Sequence, residues 1–171
     1  MKTLFILASV MVVFSLAAPN EIEAQKKSAG SGNARTDIFR QLVRDSRASA
    51  PDLSSWDEIE INKPARYYID VKAVPLSPGR IMYLVAGNAV PFYGAHAPMF
   101  WIYEKTKGGY RQIDDLGANY DVRLLKTSHN RFRDLGTSYV LGAGTLLSTC
   151  KLIFNGNKYV SAGCKEKRIR N

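Results

Sequence analysis

The segment Leu146–Cys164, LLSTCKLIFNGNKYVSAGC, constrains the fold most, because it sets both cysteines of the chain around one turn signal, Asn155-Gly156. The flanking runs are apolar and bounded by turn residues, so they read as the two strands of a hairpin. A two-residue type I′ turn at Asn155-Gly156 pairs Phe154 with Asn157 and Leu152 with Tyr159. Continuing that ladder brings Cys150 opposite Ser161. Cys164 is then offset by three residues, roughly 10 Å at about 3.3 Å per residue. A disulfide needs Cα atoms within about 6.8 Å. A straight hairpin therefore cannot be bridged, and a Cys150–Cys164 bond requires the chain to bend after Ser161, where Ala162-Gly163 is flexible enough.

Whether the cysteines pair depends on where the chain goes. Residues 1–18, MKTLFILASVMVVFSLAA, are one Lys followed by an apolar run without charge. That is the pattern of a signal peptide. The run is short for a membrane span, and Pro19 follows it. Cleavage after Ala24 suits a polar segment behind Pro19; cleavage after Ala17 also offers small residues, and an uncleaved anchor is the remaining alternative. No cysteine lies near the N-terminus, which excludes a bacterial lipid anchor. The expected location is periplasmic or secreted, with no membrane span in the mature chain. In that setting two cysteines are expected to pair. The bond closes a loop of about fifteen residues, worth about 3 kcal/mol by loop entropy.

The formal charge is +9, and loss of residues 1–24 removes one Lys and two Glu and raises it to +10. Such a chain favours anionic partners: an acidic protein or an anionic envelope component, with nucleic acid possible but not favoured.

Along the chain, residues 25–35 are small and polar and read as a flexible leader. From Thr36, a candidate N-cap, Ile38, Phe39, Leu42 and Val43 recur with helical period, and Arg40, Arg44 and Arg47 take the other face. Pro51 ends this helix. From Arg66 the period becomes two, with Tyr67, Ile69, Val71 and Ala73 on one face. IMYLVAG, MFWIYE, YRQIDDL, YDVRLLKT and TSYVLG follow as short strands separated by turn residues, and the hairpin comes last. The tail 165–171 is basic and expected to be mobile. The expected fold is α+β: a single domain over residues 36–164, in which an antiparallel β-meander of about six to eight short strands packs on one N-terminal amphipathic helix.

The run from Phe100 to Cys164 resembles a loose group of uncharacterised bacterial exported proteins. The carrying residues are Phe100-Trp101-Ile102-Tyr103, Gly109-Tyr110, Leu116-Gly117, Thr127, Asn130 to Leu135, and Asn155-Gly156 with Tyr159 and Cys164. The resemblance implies an exported β-domain and no particular reaction. Such proteins often carry cysteines just before the aromatic strand, where this chain reads PFYGAHAPMF.

Candidate chemistry is sparse. The two histidines, His96 and His129, could serve a nuclease as acid and base only if the fold brought them together. Asp114 and Asp115 are neighbours and in a strand point to opposite faces; a metal site shared with Asp121 or Asp134 is the other use for them. No metal-ligand spacing, nucleophile elbow or phosphate-binding loop is present. No cofactor, metal or catalytic residue is assigned. The strongest binding candidate is the proline-bracketed loop carrying Phe92, Tyr93 and His96, because aromatic residues on a stiff loop make good anchors. Tyr110, Arg111, Phe132 and Arg133 alternate aromatic and basic character, a pattern that suits nucleic acid or simple sheet packing. The expected function is a non-catalytic exported binding protein, of inhibitor or immunity type or a cell-envelope accessory. The alternatives are a small secreted hydrolase and a structural envelope module.

Overall fold

The computed structural model describes residues 31–50, 59, 63–94, 96–141 and 144–169; the signal segment and most of the leader lie outside the described residues. Helix α1 (Ser31–Ser49) leads to a single helical turn, α2 (Ala65–Tyr68). Eight strands follow among the described residues: β1 (Ile69–Val74), β2 (Met82–Gly87), β3 (Met99–Thr106), β4 (Gly109–Ala118), β5 (Asp121–His129), β6 (Phe132–Leu141), β7 (Leu146–Phe154) and β8 (Tyr159–Arg168). They form two four-stranded antiparallel sheets in sequence order, β1-β2-β3-β4 and β5-β6-β7-β8.

The α+β class holds, and the layout corrects the single meander. The chain leaves the first sheet at Asn119. Its side-chain amide donates to the Leu116 carbonyl at 2.9 Å, and its backbone N–H donates to the Pro98 carbonyl at 3.0 Å. Tyr120 N–H then donates to Ser138 O at 2.7 Å, which starts the second sheet. A hairpin turn and a sheet-changing corner look alike as residue patterns, so strand count was legible and the break was not.

Period-two alternation explains the layers. On β2 and β3, Met82, Leu84, Phe100 and Ile102 face the second sheet, where they meet Val122, Leu135, Leu152 and Phe154. The intervening residues Tyr83, Val85, Trp101 and Tyr103 face Ile38, Phe39, Leu42 and Val43 of α1. The first sheet is thus covered on both faces, which is why its central strands read as unbroken apolar runs. Ile38 and Leu42 are fully buried, so truncating either to Ala removes about 2–5 kcal/mol. Gly87 ends β2 where the Phe92 backbone crosses it; a Cβ there would stand 1.6 Å from the Phe92 carbonyl oxygen, so no other residue fits.

Three local expectations change. Helix α1 begins at Ser31, inside the segment expected to be a flexible leader, so Thr36 lies within the helix. Tyr67 and Tyr68 sit in α2 rather than a strand, which leaves Tyr67 exposed and Tyr68 buried. β8 runs on to Arg168, with Lys165 opposite Thr149 and Arg168 opposite Leu146, so most of the basic tail is paired strand.

The hairpin shows how the cysteines meet. Phe154 pairs with Tyr159, so the loop is four residues, 155–158, not two. Asn155 Oδ1 accepts the backbone N–H groups of Asn157 and Lys158, each at 2.9 Å, an Asx turn that competes successfully with the type I′ alternative. A bulge follows: Leu152 faces Ser161 while Lys151 faces Gly163. The longer loop moves the register by two residues and the bulge by one. Together they cancel the three-residue offset and set Cys150 opposite Cys164, where the disulfide forms. Gly163 at φ 134 takes the conformation the bulge needs.

Candidate functional site: an arginine cleft at the turn end

The β1–β2, β5–β6 and β7–β8 connections gather at one end of the two sheets. Two bonds tie this end together: Arg133 N–H donates to the Leu76 carbonyl at 2.7 Å, and Tyr159 N–H donates to the Asp114 carboxylate of β4. Between them lies a cleft of about 590 Å³, into which Arg80, Arg111 and Arg131 project alongside Pro78, Phe132 and Phe154.

The three arginines are not equivalent. Arg80 holds Glu104 with two parallel bonds, Nε to Oε1 and Nη2 to Oε2, both 2.6 Å. Its guanidinium also lies over the Phe132 ring, 4.8 Å from the centroid. Arg111 reaches the same carboxylate with Nη2 alone, at 2.7 Å, and stays 63% exposed. The Arg80 bonds, against burial and with Arg111 assisting, hold the Glu104 carboxyl at about 2. In return the Glu104 bond raises Arg80 above its ordinary value. Arg131 is exposed and has no ion-pair partner among the described residues.

Arg131 also stands in an unusual backbone. Asn130 and Arg131 both have positive φ, 49° and 68°, as the two central residues of the β5–β6 turn, between His129 and its partner Phe132. That is the type I′ arrangement, whose second position normally takes glycine. A side chain there costs about 1–2 kcal/mol, so the surroundings must hold it. They do. Asn130 Nδ2 donates to the Phe154 carbonyl at 2.7 Å, and the Phe132 and Phe154 rings stack at 4.0 Å. At the base of the turn, His129 Nδ1 lies 2.7 Å from Asp134 Oδ1.

Asp134 is the anchor of this outer face. Its side chain has no exposed surface, under a cover one layer thick: Thr127 Oγ1 donates to Oδ2, Lys151 Nζ sits 2.9 Å from the same oxygen, and His129 takes the other. Burial opposes the charge, and the hydrogen bonds from Thr127, His129 and Lys151 outweigh it, holding the carboxyl at about 2. A buried carboxylate so paired fixes strands β5, β6 and β7 to each other beside the turn.

The sequence-derived candidates fall elsewhere. Phe92 is 2% exposed and packs edge-on against Phe39 and Trp101, each at 5.9 Å, so it belongs to the core beneath α1. Tyr93 is exposed and its backbone bridges to Pro98; His96 is exposed nearby. That loop precedes β3, at the end opposite the cleft. His96 and His129 are therefore separated by about the length of β3, roughly 25 Å at 3.3 Å per residue, and form no pair. Asp114 serves the β8 backbone and Asp115 caps the Gly117 N–H at 2.8 Å. Among the described residues no three acidic, histidine or cysteine side chains gather as metal ligands. Tyr110 packs on Tyr83 at 5.7 Å, and Arg133 donates to the Leu125 carbonyl at 2.9 Å.

Comparison of the chain with protein-family models, with curated proteins and with solved structures finds no match. The residues must carry the functional argument alone. Arg80, Glu104 and Arg131 escaped the sequence reading because they are distant in the chain. The one local signal was Asn130-Arg131 between two strands, where an Asn-Gly would be ordinary and an Arg is not.

Chemically, the cleft can hold an anion. It offers guanidinium donors and apolar walls, with the Glu104 carboxylate held against two of the guanidiniums.

Proposed function

We propose that the chain is an exported, non-catalytic binding protein, of inhibitor or immunity type or a cell-envelope accessory, whose negatively charged partner is held at the arginine cleft. The observation that carries this reading is Arg131, an arginine without an ion-pair partner among the described residues, held in a strained turn beside two further arginines. Strain persists where something over-determines it, and it clusters at binding sites. The positive formal charge favours approach of such a partner. The disulfide fits an oxidising compartment. No helix among the described residues is long and apolar enough to cross a membrane. A hydrolase using His96 and His129 together draws no support from their separation.

Retention on a resin carrying a peptide with a single glutamate tests the site. The Arg111→Gln/Arg131→Gln chain should elute well before an Arg40→Gln/Arg47→Gln control, which loses the same charge from the solvent face of α1. If the two variants elute together, bulk charge rather than the cleft binds anions.

A further inference from the structure

We infer that the cleft accepts a single carboxylate carried on a protein segment, bridged between Arg111 and Arg131, and not a polyanion. The inference rests on the anion-binding reading above and narrows its ligand.

Three observations lead there. First, the free capacity of the cleft is small. Glu104 occupies Arg80 through both Nε and Nη2, and takes Nη2 of Arg111. What remains is the rest of the Arg111 fork and all of Arg131, which together match one carboxylate. Second, Glu104 stays ionised against the Arg80 and Arg111 guanidiniums that line the cleft, with a carboxyl held at about 2 and a side chain only 13% exposed. A ligand bringing many negative charges meets that fixed charge; a ligand bringing one is compensated by the arginine excess. Third, the walls are partly apolar. Pro78, Ile113, Phe132 and Phe154 line the same space. A protein side chain offers an apolar stem and apolar neighbours to such walls, whereas a sulfated glycan or nucleic-acid backbone offers none at a phosphate or sulfate. The turn lowers the ordering cost of the contact, because the backbone that carries Arg131 is already held in place.

The experiment is a titration of the ¹⁵N-labelled full chain, followed by amide shifts, with three probes: acetyl-Ala-Leu-Glu-Ala-amide, its Gln counterpart acetyl-Ala-Leu-Gln-Ala-amide, and a heparin octasaccharide. The expected result is saturable movement of the amides of Asn130–Phe132 and Gly156–Asn157 with the Glu peptide. The Gln peptide should bind about ten-fold more weakly or worse, the loss expected for one charge-assisted pair. Arg111→Gln and Arg131→Gln should each remove the effect of the Glu peptide with the rest of the spectrum unchanged. Equal binding of the two peptides overturns the carboxylate assignment. If heparin moves those amides and the Glu peptide does not, the ligand class is wrong while the anion-binding cleft stands. If no probe moves them, both readings fail.

Discussion

Replacing Arg131 with glycine separates a residue kept for function from one kept for stability. Arg131 has φ 68° at the second central position of the β5–β6 turn. An L-residue in that region costs about 1–2 kcal/mol, and glycine removes the cost. Glycine returns about 0.5–1 kcal/mol through the freedom it adds to the unfolded chain. The side chain itself is exposed and without an ion-pair partner among the described residues, so its loss removes little packing. The sum is a change between about zero and a gain of about 1.5 kcal/mol for Arg131→Gly. Urea unfolding with the disulfide intact measures it, as an equal or higher midpoint at unchanged slope. The same variant should lose retention on the single-glutamate peptide resin. A stabilised protein that binds less is the trade expected where a binding residue sits in a strained conformation. A loss of more than about 1 kcal/mol would refute the reasoning, since Arg131 would then be a packing residue.

Other expectations follow from the same geometry. The Asp134 carboxyl is held at about 2 against an ordinary 3.8, so its charged form stabilises the fold above about pH 4, and that contribution disappears as pH falls through 2. Discounted for the thin, partly solvated cover, it is on the order of 1–2 kcal/mol. The stability gap between wild type and Asp134→Asn should therefore close as pH falls from about 4 toward 2; a gap that ignores pH across that range contradicts the assignment. Glu104→Gln should lower stability, since Arg80 loses its bidentate partner, and yet strengthen binding of the Glu peptide, because the counter-charge paired with Arg80 and Arg111 is gone; weaker binding would mean that Glu104 itself orders the site. Cys150→Ser/Cys164→Ser should cost about 3 kcal/mol and speed amide exchange along Lys165–Arg168, which lie beyond the cross-link on β8. Exchange unchanged in that stretch would show that pairing alone holds the strand.

The parts of this protein that sequence reveals are those governed by local periodicity. The helical face of Ile38, Phe39, Leu42 and Val43, the strands and the final hairpin all follow from spacing, and all are present. The need for extra backbone between the cysteines was also legible, because hairpin geometry forbids the straight solution. Its source was only half seen: a bend at Ala162-Gly163 was expected, and it takes the form of a bulge, whereas the four-residue loop depends on the Asn155 side chain preferring its own backbone. Phe92 illustrates the opposite limit. An aromatic residue on a proline-bracketed loop looks the same whether it points to solvent or under a helix, and only the close approach at Gly87 decides it. The cleft lay beyond reach for another reason. Arg80 and Glu104 are 24 residues apart, and their pairing depends on which two sheets meet and at which end.

The central claim is that a negatively charged partner is held at the cleft formed by Arg80, Arg111 and Arg131. The measurement that tests it most directly is parallel affinity capture from cell envelope and culture medium, using the wild-type chain and the Arg111→Gln/Arg131→Gln chain, at low and high salt, read by quantitative mass spectrometry. The expected result is one acidic protein, near one-to-one with the wild type, retained at high salt and depleted about ten-fold or more from the variant. Equal recovery of the same partner by both chains would contradict it and move the binding surface away from the turn end.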